Sequence, residues 1–406
     1  MILAGYKLIK FSFYSYKNSY FIHKVTDILA QHNANIIDIS QYKAFQSHLL
    51  SVSIEATPTQ LNRIKEEFSK LNDTYINTQI IYSDTNNEVI THPKECPTTH
   101  YLTLVGKTIT EEHFHHIFQT LYQENIAILS MRELSQSDQP NCNSFKAIEL
   151  DLNIQTENTQ SVLSHLKELI KIDIDFSLQQ NDVFRKTKRL ICFDMDSTLI
   201  QTEVIDELAI KAGVGEQVKA ITESAMRGEI DFKQSFAKRV SLLKGLSEEV
   251  MIGIAQNLPY TAGIEKVMKF AQFAGIKVAI LSGGFTYFAK HIQEKFGVDY
   301  IYANNLEIID GKLTGKYVGE VVDAQQKVRL LKQLASKENI NLAQTVVVGD
   351  GANDLPMIKE AGLGIAFHAK PKVLKEAPNI INKAGLDAIL YYLGYNDSEI
   401  GDALSN

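Results

Sequence analysis

Cysteine is scarce in this chain, with three among 406 residues. Cys96, Cys142 and Cys192 are widely spaced and form no Cys-x-x-Cys, which excludes a zinc knuckle and a disulfide framework. Cys192 stands in an apolar run and reads as a small core residue. Long hydrophobic runs are missing too: no stretch reaches the roughly 18 apolar residues of a membrane-spanning helix. The amino-terminal MILAGYKLIKFSFYSY lacks the apolar core and small-residue cleavage site of a signal peptide. Excess positive charge is also absent. The formal net charge is −7, whereas a nucleic-acid binder carries a basic face or tail. The one basic cluster, Arg185 to Arg189, is short and reads as a solvated linker. These absences lead us to expect a cytoplasmic protein with no nucleic-acid and no membrane partner. Hydrophobic residues make up 45 % of the chain, enough for two or three domains with real cores.

Residues 1–180 read as one pattern used twice. Residues 5–13 have strand character, and 18–32 carry helical apolar spacing at Phe21, Ile22, Val25, Ile28 and Leu29. Strands follow at 35–42 and 48–55, then a helix over 58–71 with Pro58 near its start, then a strand over 74–82. This β-α-β-β-α-β order is that of a ferredoxin-like unit, placed at 1–83. Residues 84–97 are polar with two prolines and read as a linker. The order then repeats over 98–180, in pattern rather than in sequence.

From residue 189 the character changes. LICF (190–193), VAIL (278–281) and TVVVG (345–349) are apolar throughout, as strands buried on both faces are. They alternate with helical patterns, which implies a doubly wound parallel α/β sheet over 189–395. The stretch 203–260 is far longer than one crossover needs. Its helical periodicity reads as an inserted helical cap, punctuated by Gly213, Gly228 and Gly245.

Chemistry-bearing residues sit just past those apolar runs, where open parallel sheets bind ligands. Asp194 and Asp196 follow the first. Two carboxylates so close would repel a phosphate unless a cation stood between, and Mg²⁺ suits an oxygen-only ligand set. Asp194 can then act as nucleophile, and Asp196 as proton donor and acceptor. Ser282 and Gly283 follow the second run and offer a hydroxyl and a backbone N–H to phosphate oxygens. Asp350 follows the third as a further Mg²⁺ ligand. Asp354 stands close behind as a second ligand or an orienting partner. Asn353 can bond substrate or metal-bound water. Any of these segments alone could be a turn or a helix cap. Their shared order points to phosphoryl transfer. A fixed cation is also required, and the order favours Lys327 over Lys312, Lys316 or Lys332.

FDMDSTLIQTEVIDELA (193–209), AMRGEIDFKQSFAKRVSLLKG (225–245), LSGGFTYF (281–288) and GDGANDLPMI (349–358) resemble the haloacid dehalogenase superfamily, and within it the phosphoserine phosphatases. The resemblance covers roughly residues 189–395, about half the chain. It implies Mg²⁺-dependent hydrolysis of O-phospho-L-serine to L-serine and phosphate through an aspartyl-phosphate. It implies Asp194, Asp196 and Asp350 as metal-binding residues, with Asp354 in support. It implies Ser282, Gly283, Lys327 and Asn353 at the phosphate. Glu203 matches the acid that recognises the serine ammonium, and Arg239 the cap arginine that pairs with the carboxylate. Met226 and Phe232 match apolar cap positions near the substrate. Residues 1–180 resemble paired ACT domains, which bind amino-acid effectors and build dimers, so a homodimer is expected. The loop Ser15 to Ser19 lacks the glycine that many ligand-binding ACT loops carry, whereas the second unit has Gly106. The same segments would also serve a phosphatase or phosphotransferase for another small phosphomonoester. An amino-acid-responsive regulatory protein is the alternative of another class.

Overall fold

The computed structural model describes residues 6–16, 21–44, 47–71, 81–84, 97–135, 145–155, 159–226 and 229–405. Outside them lie nearly all of the expected linker 84–97, Lys17 to Ser19 of the first loop, Cys96, Cys142 and Gly228. The chain divides into two units, 1–95 and 96–406.

The first unit runs β1 (Lys7–Tyr16), α1 (Phe21–Gln31), β2 (Asn35–Ala44), β3 (Ser47–Ala56), α2 (Pro58–Lys70) and β4 (Ile81–Asp84). Its strands form an antiparallel sheet in the order β2-β3-β1-β4. Strand alternation puts Ile9, Phe11, Phe13, Leu50, Val52 and Ile54 on one face, buried with Val25, Leu29, Ile64 and Phe68 of the helices. α2 begins as its sequence requires. Pro58 occupies its first turn, and Thr57 and Gln60 cap each other reciprocally.

The second unit begins β5 (His100–Gly106), α3 (Glu111–Gln123), β6 (Ala127–Glu133), β7 (Lys146–Asn153), α4 (Thr159–Leu166) and β8 (Asp175–Gln180). These strands lie in the order β8-β5-β7-β6, equivalent to that of the first unit. The helix expected to run to 171 instead tightens after Leu166 into a 3₁₀ segment, Lys167–Ile172.

The chain continues through β9 (Leu190–Phe193), α5 (Val204–Lys211), α6 (Gly215–Met226), α7 (Phe232–Leu242), α8 (Glu248–Gln256), α9 (Ile264–Phe273), β10 (Lys277–Phe285), α10 (Thr286–Phe296), β11 (Tyr300–Ile309) and β12 (Lys312–Val318). It ends with α11 (Ala324–Lys337), β13 (Thr345–Gly349), α12 (Leu355–Glu360), β14 (Leu363–Phe367), α13 (Pro371–Glu376), β15 (Asn379–Ile381), α14 (Ala388–Tyr392) and α15 (Asp397–Ser405). Six strands, β11-β10-β9-β13-β14-β15, run parallel, with β12 antiparallel on the outer edge. From β9 the chain goes first to one neighbour, β10, and later to the other, β13. β9 therefore marks the switch point at which such sheets bind ligands. Helices α5 to α8 form the expected insertion. Gly213 and Gly245, at φ +73° and +88°, take the left-handed conformation that ends its helices.

The β-α-β-β-α-β pattern at 98–180 does not stand apart from the parallel sheet. β8 pairs antiparallel with β15, so the strands of the second unit form one eleven-stranded sheet. Asp175 of β8 reinforces the seam, its carboxylate accepting the backbone N–H groups of Asn382, Lys383 and Ala384 at 2.7, 3.0 and 2.8 Å. On one face, Leu102, Leu104, Leu150 and Phe176 bury α3 and α4. On the other, Val105, Leu134 and Ala147 join the core that includes α14 and α15.

The basic cluster after β8 is solvated only in part: Lys186 and Arg189 are exposed, but Arg185 and Lys188 are not. Arg185 is 6 % exposed and Lys188 4 %. The Arg185 guanidinium pairs with the fully buried Glu149 of β7, lies over the Tyr101 ring and packs against Gly394, where a Cβ would stand 2.8 Å from a guanidinium nitrogen. Glu149 also accepts from Arg132 at 2.8 Å. Lys188 donates to the Ala343 carbonyl at 2.6 Å. The sequence shows the charges, but the acid that draws Arg185 inward is supplied by a distant strand. Breaking one arm of a buried ion pair costs about 3 kcal/mol. Arg185→Met therefore lowers the unfolding free energy of the second unit by that amount, read as a lower urea midpoint at constant slope; an unchanged midpoint would mean that Arg132 satisfies Glu149 alone.

Candidate active site

The carboxyl ends of β9, β10 and β13 converge. β9 is buried along its whole length and delivers Asp194, whose N–H still bonds the Val348 carbonyl of β13 at 2.9 Å. The following turn is tight. The N–H groups of Thr198, Leu199 and Ile200 all point at the Met195 carbonyl, and Ser197 adopts φ +56°. This turn aims Asp194 and Asp196 in different directions. Asp194 Oδ1 accepts from the Met195 N–H at 2.7 Å, and its Oδ2 stands 2.8 Å from Lys327 Nζ. Asp196 Oδ1 accepts from the Val204 N–H at 3.0 Å, in the first turn of α5. Glu203, at the amino end of α5, accepts from Ser197 Oγ at 3.0 Å.

At the end of β10, Ser282 Oγ accepts from the Gly284 N–H at 2.9 Å. A Cβ at 284 would stand 2.7 Å from Met195 Cε and closer still to the Asp196 carboxylate, so a larger residue there would displace the Asp196 side chain. Buried Asn304 fixes the loop from behind. Its Nδ2 donates to the Gly283 carbonyl at 2.8 Å, and its Oδ1 accepts from the Val322 N–H at 2.9 Å.

After β13, Asp350 and Asn353 face the same space. Asp354 is fully buried, accepting from Lys327 Nζ at 2.6 Å and from the Gly351 N–H at 2.9 Å. Lys327 stands in the first turn of α11 and is itself fully buried, bridging Asp194 and Asp354. Burial opposes its charge, but the two carboxylates outweigh that and raise its pKa. Carboxylate oxygens of Asp194, Asp350 and Asp354 lie within 4.8 Å of one another. Burial, then repulsion from Asp194, pushes the Asp350 pKa up to about 6. Three acids thus cluster beside one internal lysine, which pairs with two of them. This excess of negative charge and the oxygen-only donor set fit a divalent cation.

A cavity of about 620 Å³ opens in front of this group. Asp194, Asp196, Ser282, Gly283, Asp350 and Asn353 line it from the sheet, and Glu203 and Arg239 from α5 and α7. Phe232 stands over Gly283, and Phe236 behind it. Lys327 and Asp354 lie behind the wall. The Asp196 carboxylate is not among the clustered oxygens. It faces Glu203, and burial followed by that charge raises its pKa well above the usual carboxylate range. Burial lowers the pKa of the Arg239 guanidinium, opposed by Asp206, Glu203 and Asp196. The Met226 side chain lies outside the described residues.

Among the lining residues that were not foreseen are Asp206, Ser235 and Lys370. Asp206 and Ser235 lie on cap helices, where nothing in the sequence separates them from surface positions. Lys370, 57 % exposed in its side chain, follows β14 and comes within 3.6 Å of Asp350. Its position past a strand end was the available signal. The cap itself is tied to the sheet edge. Gly245 N–H donates to Leu313 of β12 at 2.8 Å, Leu313 N–H returns to Leu246 at 2.9 Å, and Tyr317 meets Phe236 edge-on.

Residues 188–362 match the haloacid dehalogenase-like hydrolase family. A phosphoserine phosphatase of Archaeoglobus fulgidus is 47 % identical over 54 % of this chain and 64 % of its own length. One of Haemophilus influenzae is 47 % identical over 55 % of this chain and 72 % of its own. The crystal structure of a probable phosphoserine phosphatase from Vibrio cholerae superposes with a TM-score of 0.58 at 36 % identity, covering 75 % of this chain and 88 % of that one. Site geometry, matched segment and relatives agree: this chain belongs to the phosphoserine phosphatases within the haloacid dehalogenase-like hydrolases.

Proposed function

We propose that this protein hydrolyses O-phospho-L-serine to L-serine and phosphate, the last step of serine biosynthesis, through an aspartyl-phosphate on Asp194. One observation carries the substrate: a single cavity offers Glu203 and Arg239 beside the Asp194 and Ser282–Gly283 end. A phosphorylated zwitterion needs an anion for its ammonium, a cation for its carboxylate and a phosphate site. Arginine takes a carboxylate with two parallel hydrogen bonds.

In this reading the substrate phosphate lies against Ser282 Oγ and the Gly283 N–H, with Asn353 alongside. The Asp194 carboxylate attacks phosphorus, forming the P–O bond as the ester P–O bond breaks. Lys327 spreads the developing charge. Asp196, its pKa raised by burial and by Glu203, gives its proton to the leaving serine oxygen. It then takes one from the water that cleaves the aspartyl-phosphate. Asp194 and Asp350 would hold Mg²⁺, with Asp196 beside them as the family resemblance implies and Asp354 orienting the set. The ion would neutralise phosphate charge and let an anionic nucleophile approach. Within the same reading, the β-α-β-β-α-β patterns at 1–83 and 98–180 are ACT-like domains that support a homodimer, and an amino-acid effector would bind at the second, which has Gly106 where the first lacks a loop glycine.

Phosphate release from O-phospho-L-serine is expected to fall about a hundredfold or more in EDTA and to return with added Mg²⁺. Rates should favour phosphoserine over O-phosphoethanolamine and other phosphomonoesters. Mg²⁺-dependent release from another ester instead would keep the chemistry and discard the substrate. Full activity in EDTA would remove the metal. Transfer to an added alcohol in place of water would make the protein a phosphotransferase. No release from any ester would favour a regulatory role.

A further inference from the structure

Ser235 stands on α7 at 1 % exposure, in the wall of the cavity, and its Oγ has no hydrogen-bond partner among the described residues. Helical serines ordinarily return their hydroxyl to a carbonyl of the preceding turn. Ser69, Ser164, Ser241 and Ser405 of this chain all do so. Ser235 does not. A buried hydroxyl left unpaired costs about 1–3 kcal/mol, so an unspent donor on a residue of the cavity wall calls for a partner.

Its neighbour shows which. Arg239 lies four residues on, one turn along the same face of α7. It lines the same cavity, and its Nε is likewise buried and unpartnered. A hydroxyl and a guanidinium N–H one turn apart, both idle, make a pair of donors suited to the two oxygens of a carboxylate. Asp206 and Glu203, the acids lining that end, would repel an anion unless it were held by such a pair.

We propose that Ser235 is a specificity-determining residue that donates its hydroxyl to the substrate carboxylate together with Arg239. This rests on the phosphoserine reading above. The contact is present before and during reaction, so its loss should raise KM and leave kcat nearly alone.

The test compares O-phospho-L-serine with O-phosphoethanolamine, which keeps the ammonium and lacks the carboxylate. In Ser235→Ala, kcat/KM for phosphoserine should fall about tenfold more than for phosphoethanolamine, through KM, the size of one hydrogen bond to a charged acceptor. Ser235→Cys, close in size with a weak donor, should fall between. Equal losses on both esters would make Ser235 a packing residue and overturn the proposal. No loss on either would mean that water satisfies the hydroxyl, and would overturn it too. Should the wild-type protein turn over both esters equally, the phosphoserine reading fails and takes this inference with it. A wild type that prefers phosphoserine beside an indifferent Ser235→Ala removes the inference alone.

Discussion

Asp194→Asn should lower phosphate release by roughly 10⁴-fold or more, because an amide oxygen cannot take the phosphoryl group as a carboxylate does. The fold should survive. The side chain keeps its shape, and the amide oxygen can still accept from the Met195 N–H, as Oδ1 does now at 2.7 Å. The cost lies at the other atom, where an NH₂ would face Lys327 Nζ, donor against donor, in place of the present 2.8 Å ion pair. We expect that to lower stability by about 1–2 kcal/mol. Circular dichroism and urea unfolding read the fold, and a phosphate-release assay reads the chemistry. A well-folded variant keeping a hundredth of the parent rate would assign the nucleophile elsewhere.

Lys327→Met should damage both fold and activity. The lysine is fully buried between Asp194 and Asp354, and nothing else described lies within ion-pairing distance of Asp354. Removing it strands two carboxylates, a loss of about 3–5 kcal/mol at neutral pH. The sign of its pH dependence follows from the groups left behind. Stranded carboxylates have folded pKa values above their unfolded ones. The folded state therefore binds more protons, and the deficit shrinks as pH falls through the carboxylate range. In the parent, the raised lysine pKa contributes stability that persists below the ordinary lysine pKa and is lost only in strong alkali. Turnover should drop about a thousandfold, as the transferring group loses its fixed cation. Urea midpoints across pH provide the check. A variant equal to the parent at neutral pH would show that the carboxylates are neutralised by something other than Lys327.

Much of this arrangement could be read from residue order. Three of the six parallel strands were visible because both their faces are covered, which makes LICF, VAIL and TVVVG apolar throughout. The acids, the serine and the glycines were found because each follows such a strand. Lys327 was chosen from its order among the motifs, and its complete burial is an independent reason to single it out. What depends on distant partners was not legible. Arg185 looked solvated because Glu149 lies on a strand far back in the chain. Ser235 looked like any helical serine, since a missing partner leaves no trace in sequence. Asn304 lies in the β11–β12 hairpin, which the apolar-run pattern did not reveal, as its strands are half exposed. The pairing of β8 with β15 was hidden because three residues, Asn379–Ile381, make the inner strand.

That pairing bears on how such a chain can be cut or rebuilt. Severing it between Gln180 and Leu190 would open the seam between β8 and β15. The catalytic piece would carry β15 as a raw border, with unmatched N–H and C=O groups and with the amides of Asn382 to Ala384 robbed of the Asp175 carboxylate. Borders of that kind recruit other chains and precipitate. A shortened version would have to blunt the new margin, with lysine or proline along β15 or a substitute strand laid over it. Residues 98–180 therefore serve the catalytic half as a selvedge.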